Sequence, residues 1–304
     1  MTNKPRKHHF IPQFWIRKFE DLEGKIWAYD HQHRCIRDRS PKQLMQIFNL
    51  YTLQPSGIDD TTLETIDLGQ VDTQGSKVFE CILNEDQSAE VKSKFADFLA
   101  VQILRDPEVV TTYNHKAQEL TLSLLEIFDA PDFGTFRRAW QSSFPGADIY
   151  EHEYNHIKSL GLKASESAIE QIILALDATG GLPELPFTDV VRSAEGRQIV
   201  KRKLIDLEWI IKTDQSGRFI LGDSGVLHNE GDLNTIVVPL SRNSALYMSA
   251  SEKPADTISS IEAKDYEVKN LNAESAARSR RWIVGNREEL ERLQFQAGTN
   301  PLPV

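Results

Sequence analysis

From residue 8 to residue 19 the chain reads His-His-Phe-Ile-Pro-Gln-Phe-Trp-Ile-Arg-Lys-Phe, an apolar run cut in two by a proline. Pro12 disfavours helix for the residue before it, so His8–Ile11 is expected to be extended, with His8 and His9 directed to opposite sides. Gln13–Phe19 is expected to form a short helix. Lys25–Asp30 and Cys35–Asp38 flank the polar stretch His31-Gln32-His33-Arg34 and predict a β-hairpin. Pro41 opens a further short helix through about Ile47. The middle of the chain carries helical periodicity. Asp59-Asp60-Thr61 reads as a cap before a segment running to about Leu83, despite Gly69 and Gly75. Lys92–Arg105 is a helix, and Asp106-Pro107 starts another that runs to about Phe128. Further helices are expected at 132–143, 148–160, 165–177 and 189–203.

The last third shifts towards period two. Glu208–Thr213 and Arg218–Gly222 read as strands around a Gln215-Ser216-Gly217 turn, and Asn234–Leu240 and Ala245–Ser249 as two more. A charged helix from about Lys264 to Trp282 and a short one near Arg287–Leu293 follow. The expectation is one α+β domain over 1–304, mostly helical, with an N-terminal β-hairpin and a small C-terminal antiparallel sheet. Within it, 1–50 is a basic, histidine-rich head, 59–203 a helical body, 205–250 the small sheet and 262–296 the closing helices.

Composition narrows the class. Hydrophobic residues make up 40% of 304 and aromatics 9%, enough for a buried core and too many for a disordered chain. No apolar run approaches the about 18–20 residues needed to cross a bilayer, and the N-terminus lacks the apolar stretch of a signal peptide. Cys35 and Cys81 are too few for a disulfide framework or a thiolate zinc site. These features lead to the expectation of a cytoplasmic protein without a membrane partner. Charge is uneven: residues 1–42 hold ten basic and five acidic side chains in a chain of net charge −10, and four of the eight histidines lie there too. Such a head can attract a polynucleotide or another phosphate ligand, or it can dock on the acidic remainder. The acidic total argues against a dedicated duplex binder.

The 91–105 helix is the most informative segment. At about 100° per residue, Val91, Phe95, Phe98, Gln102 and Arg105 share a face. The other faces carry Ala100, Val101, Ile103 and Leu104, so the helix is expected to be buried all round. A buried guanidinium must be paired, because its desolvation is costly. The partner is either an internal carboxylate with backbone carbonyls, or an anionic ligand.

Residues 7–19 resemble the opening signature of the bacterial family catalogued as domain of unknown function 4238. The resemblance continues through Gly24–Asp30, Phe98–Pro107, Trp209, Phe219–Asp223 and Pro239–Ser241, and ends near Arg281-Trp282. Two departures stand out: relatives usually have Ser-Asp followed by Asn-Pro where this chain has Gly222-Asp223-Ser224-Gly225, and they tend to have a glutamate near Asp72. The resemblance supplies positions rather than a reaction: His8, His9, Gln102, Arg105 and Asp223, with Asp72 weaker.

If those residues converge, the set suits phosphoester chemistry. His8 and His9 would serve as acid/base groups or metal ligands, Gln102 and Arg105 would bind phosphate, and Asp223 would orient or ligate. That describes a phosphodiesterase or nuclease of a defence or toxin type, with a divalent metal as the cofactor it could use. The opening also looks like the paired histidines of HNH nucleases, but Asn49 has no histidine following it. The competing reading is a non-enzymatic binding or structural module, in which His8 and His9 pin the N-terminal strand into the core and Arg105 pairs with Asp223. His152-Glu153-Tyr154-Asn155-His156 matches the H-E-x-x-H pattern of zinc hydrolases, with Glu166 or Glu170 as third ligand, although Lys158 sits where such helices are apolar. The alternative there is a solvated helix face. His31, His33 and Cys35 read as an exposed hairpin tip rather than a metal cluster. Gly222-Asp223-Ser224-Gly225 is similar to a trypsin-type nucleophile segment, but no matching histidine context accompanies it.

Overall fold

The computed structural model describes residues 7–48, 68–84, 86–109, 127, 129–143, 146, 148–159, 194–229 and 232–293. The strand β1 (Lys7–His9) leads into α1 (Gln13–Ile16), which continues as a 3-10 turn through Phe19. Next come β2 (Trp27–Asp30), β3 (Cys35–Asp38) and β4 (Gln46–Phe48), then α2 (Gly69–Leu83) and α3 (Ala89–Leu104). The helices α4 (Phe133–Ser143), α5 (Glu151–Ser159) and α6 (Ala194–Ile205) precede β5 (Leu207–Thr213), β6 (Leu221–Gly222), β7 (Leu227–Asn229), β8 (Asp232–Ser241), β9 (Ser244–Ala250) and β10 (Ser259–Glu262). The described chain closes with α7 (Asp265–Arg278), β11 (Trp282–Gly285) and α8 (Arg287–Leu293). By their contacts the residues fall into two compact units, Met1–Pro107 with Val191–Val304, and Glu108–Val190. In the second, Phe136 of α4 is buried and meets Tyr154 of α5 edge-on at 5.0 Å between ring centroids.

In the first unit the strands form a pair β1-β4, a five-stranded sheet β10-β5-β9-β8-β7 and a four-stranded sheet β3-β2-β11-β6. Its core is aromatic. Phe79 of α2 lies 5.6 Å from Trp15 of α1 and 5.4 Å from Phe95 of α3, and Phe95 in turn meets Trp209 of β5 at 6.1 Å. Such pairs each contribute roughly 0.5–1.5 kcal/mol beyond the area they bury. Trp15 also donates from Nε1 to the Pro239 carbonyl at 2.7 Å, which ties α1 to β8. The N-terminus of α3 is capped by Ser88, whose hydroxyl accepts from the Val91 amide. Every residue from Phe98 to Leu104 is buried, as a helix apolar on all faces requires.

The α+β class is right, but the expected small antiparallel C-terminal sheet is wrong. That sheet has five strands and is mixed, because β10 pairs parallel with β5. The signal was missing at its edges: Ser259-Ser260-Ile261-Glu262 is exposed at all four positions and shows no alternation, and β7 is only three residues long. Nor is the N-terminal hairpin free-standing. β2 pairs with β3 on one side and with β11 on the other, joining residues 27–30 to 282–285. All four β11 residues are buried, and so short an apolar run reads equally well as the end of the preceding helix. That helix stops at Arg278. After Pro41 only a 3-10 turn forms, and the chain then becomes β4. The helix expected at 165–177, most of the one after Pro107, and the caps at 59–61 lie outside the described residues.

The Gly222–Gly225 segment is a turn that supports the N-terminal segment. Gly225 has φ +62°, and a Cβ there would lie 2.4 Å from Ile11 Cδ1. Gly225→Ala is therefore expected to destabilise the first unit by about 1–3 kcal/mol, from left-handed strain and overpacking together. Urea denaturation measures it, and an unchanged midpoint would show that the Ile11 contact is not held.

Candidate active site

Strand β1 lies antiparallel to β4, with His8 opposite Ile47 and His9 opposite Gln46. Strand alternation separates the two histidines, as expected. His8 is fully buried, and His9 lines a cleft of about 580 Å³. Pro12, Gln13 and Phe14 at the start of α1 form one wall of that cleft. Asp72, Thr73, Ser76 and Lys77 of α2 form the other. These four fall at i, i+1, i+4 and i+5, one polar face of α2, while Gly75, Val78, Phe79 and Ile82 bury the opposite face.

Gly75 brings α2 against α3 so closely that a Cβ would lie 2.2 Å from the Phe98 ring. Three residues earlier on α2, Asp72 reaches Arg105, seven residues after Phe98 and just past the end of α3. The helices therefore run antiparallel along this face. Arg105 is 1% exposed and the Asp72 side chain 32%. Arg105 Nη1 donates to Asp72 Oδ1 at 2.9 Å, and Nε donates to the Phe10 carbonyl at 3.0 Å and to Gln102 Oε1 at 3.1 Å. Arg105 thus links α3, α2 and the residue after His9. Its carboxylate partner is Asp72, not Asp223.

His9 sits in the field of this ion pair. Burial lowers its pKa below the ordinary 6.5; Arg105 also lowers it, while Asp72 and hydrogen bonds to the backbone of Pro41 and Lys42 raise it. The two members of the ion pair oppose each other there, so burial sets the direction, and His9 is neutral at pH 7. Proline has no N–H, so the imidazole must donate to the Pro41 carbonyl. Nε2 is buried without a hydrogen-bond partner. A neutral histidine is equipped to take a proton.

The remaining sequence candidates lie elsewhere. Asp223 is buried, and its carboxylate accepts from the backbone amides of Arg280 (2.9 Å), Arg281 (2.7 Å) and Trp282 (2.9 Å). Burial pushes its pKa up, against three N–H groups that favour the ionised form. These bonds set the start of β11. His152 and His156 are exposed on α5, in the second unit, and Glu166 and Glu170 lie outside the described residues. Among the described residues no three His, Cys, Asp or Glu side chains gather where a metal ion could be held. At the hairpin tip, His33 Nδ1 lies 2.8 Å from Asp30 Oδ2. Burial alone would raise Asp30, but His33 and the amides of Gln32 and His33 hold it below the usual carboxylate value. No helix among the described residues is long and apolar enough to cross a membrane. The cleft residues Gln13, Ser76 and Lys77 were not singled out from the sequence; the polar i, i+1, i+4, i+5 stripe of α2 is the signal that marks the last two.

Fold and cleft together define an α+β protein in which a neutral histidine faces a cleft beside a buried ion pair. A family profile described as "Protein of unknown function (DUF4238)" matches residues 7–289, and the chain belongs to that family. No curated protein and no solved structure matches it.

Proposed function

We propose that the first unit cleaves phosphoester bonds, with nucleic acid as the substrate class and His9 as the acid–base group. The observation that carries this reading is the neutral His9 imidazole on the wall of a cleft that also presents Lys77. Lys77 is exposed on the rim and draws a phosphate in. The His9 imidazole takes the proton of the attacking hydroxyl as its oxygen bonds to phosphorus, and the departing oxygen takes a proton from solvent. Arg105 stands one layer back, where it fixes Asp72 and, through the Phe10 carbonyl, the strand that carries His9.

The test is incubation of single- and double-stranded RNA and DNA with wild-type protein and with His9→Ala, with and without a divalent metal. Cleavage by wild type that is lost in a folded His9→Ala supports the reading, and equal cleavage by both overturns it. One observation favours a second reading: the Arg105 bonds to Phe10, Gln102 and Asp72 make a latch that serves the fold without chemistry. In that case the cleft binds an anion in wild type and His9→Ala alike, and neither cleaves.

A further inference from the structure

The two walls of the His9 cleft differ in chemistry. Pro12 and Phe14 give one wall an apolar surface, whereas the α2 wall presents the hydroxyls of Thr73 and Ser76 and the ammonium of Lys77. Phe14 is half-buried, so part of its ring packs inwards and part lies in the cleft. Its aromatic neighbours are Phe79, at 5.6 Å and 76° between planes, and Phe98, at 5.8 Å and 49°. Neither ring is parallel to it, so neither lies over a Phe14 face as Phe95 stacks on Phe98 at 26°. Opposite, Lys77 is exposed and has no ion-pair partner among the described residues. The acidic residues that flank it along α2, Asp72 and Glu80, are held by Arg105 and Lys18. The cleft therefore pairs an aromatic platform with a cation whose charge is unspent.

We infer that the cleft takes one unpaired nucleotide, its base against the Phe14 ring and its phosphate towards Lys77, so that the substrate is a single strand. This rests on the proposed phosphoester chemistry. A nucleotide has a planar apolar face at one end and an anion at the other, the same division that the cleft walls show. Bases released from a helix stack on aromatic side chains, and the backbone follows the cations. In a duplex each base is already covered by its neighbours, and none can meet Phe14 without being unstacked. A cleft of about 580 Å³ has the size of a small-molecule site, which admits a nucleotide and not a duplex. The net charge of −10 acts in the same direction, because it repels the denser charge of a duplex more strongly. Every base has a π-face, so little preference among the four bases is expected.

The test measures binding of three non-hydrolysable oligonucleotides of equal length: a single strand, its duplex, and an abasic strand of the same charge. Wild-type protein is expected to bind the single strand tighter than the abasic one by about 5- to 150-fold, the effect of stacking one base. The duplex should bind no better than the abasic strand. These comparisons need no variant. Phe14→Leu, which keeps an apolar side chain against Phe79 and Phe98, should remove the preference for bases and leave abasic binding unchanged. Phe14→Tyr should restore the preference. Lys77→Ala should weaken both strands by the same factor, since it acts on phosphate alone. Equal binding of the abasic and base-bearing strands, or a base preference that survives Phe14→Leu, overturns the inference. If His9-dependent cleavage is nevertheless present, the functional reading stands. A base preference that depends on Phe14, without His9-dependent cleavage, overturns the chemistry and leaves the nucleotide site. No binding of any strand overturns both.

Discussion

Asp72→Ala is expected to be the most destabilising single change in the site, by about 3 kcal/mol. The cost does not come from the carboxylate, which is partly in water, but from Arg105, which is not. Removing Asp72 strips a charge partner from a guanidinium that is 1% exposed. Breaking a buried pair in this way costs about 3–5 kcal/mol, and the lower end applies because the Asp72 side is one-third open to solvent. For a unit of this size the melting temperature should fall by roughly 6–12 °C. Asp72→Glu keeps the charge and should recover most of the loss. Urea titrations measure both variants; an Asp72→Ala midpoint equal to wild type would mean that the ion pair contributes nothing to the fold. Because Arg105 also holds the Phe10 carbonyl, the destabilised variant should lose order in β1 first.

The second large effect is on pH dependence. His9 must be neutral to accept a proton, and burial holds its pKa below 6.5. The rate constant kcat/KM should therefore be flat through pH 7 and fall on the acid side, with its inflection below 6.5. Two units under that inflection, about 1% of the plateau rate should remain. Stability carries the same sign. The folded state binds its His9 proton less readily than the unfolded state does, so this group's contribution is complete above pH 6.5 and is lost as pH falls towards the folded pKa. A pH–rate profile run beside a pH–stability profile separates the two effects. An inflection above 6.5 would contradict the buried, neutral imidazole. A profile that rises towards acid pH would require the protonated form to be the active one.

Particular residues show where the sequence was informative. Alternation and Pro12 placed His8 and His9 on opposite sides of a strand, and α3 was recognisable because its apolar residues leave no polar face. The same helix exposed the problem of Arg105, since a charge amid apolar positions must find a partner. The identity of that partner was not legible. The family resemblance marked both Asp223 and, more weakly, Asp72, and nothing in the local pattern of α2 says that Asp72 stands opposite Arg105. Gly75 turned out to be what lets α2 approach Phe98 at all. Asp223 serves the backbone instead, a role that depends on three amide groups 57–59 residues away and has no local signature. Lys92 was equally opaque. It reads as an ordinary charged residue in the first turn of α3, yet it is buried and donates to the carbonyls of Leu207 and Ala255. The strands that escaped detection were short, and two of them, β10 and β7, form beside a longer strand, β5 and β8, that supplies the hydrogen bonds.

The central claim is that His9, rather than any other histidine, faces the ligand. The most direct measurement is a histidine-selective NMR titration of wild-type protein with a non-hydrolysable phosphodiester oligonucleotide. The expected result is a saturable shift of the His9 ring resonances, with His152 and His156 unmoved. Saturation that shifts those two and leaves His9 in place would contradict the claim.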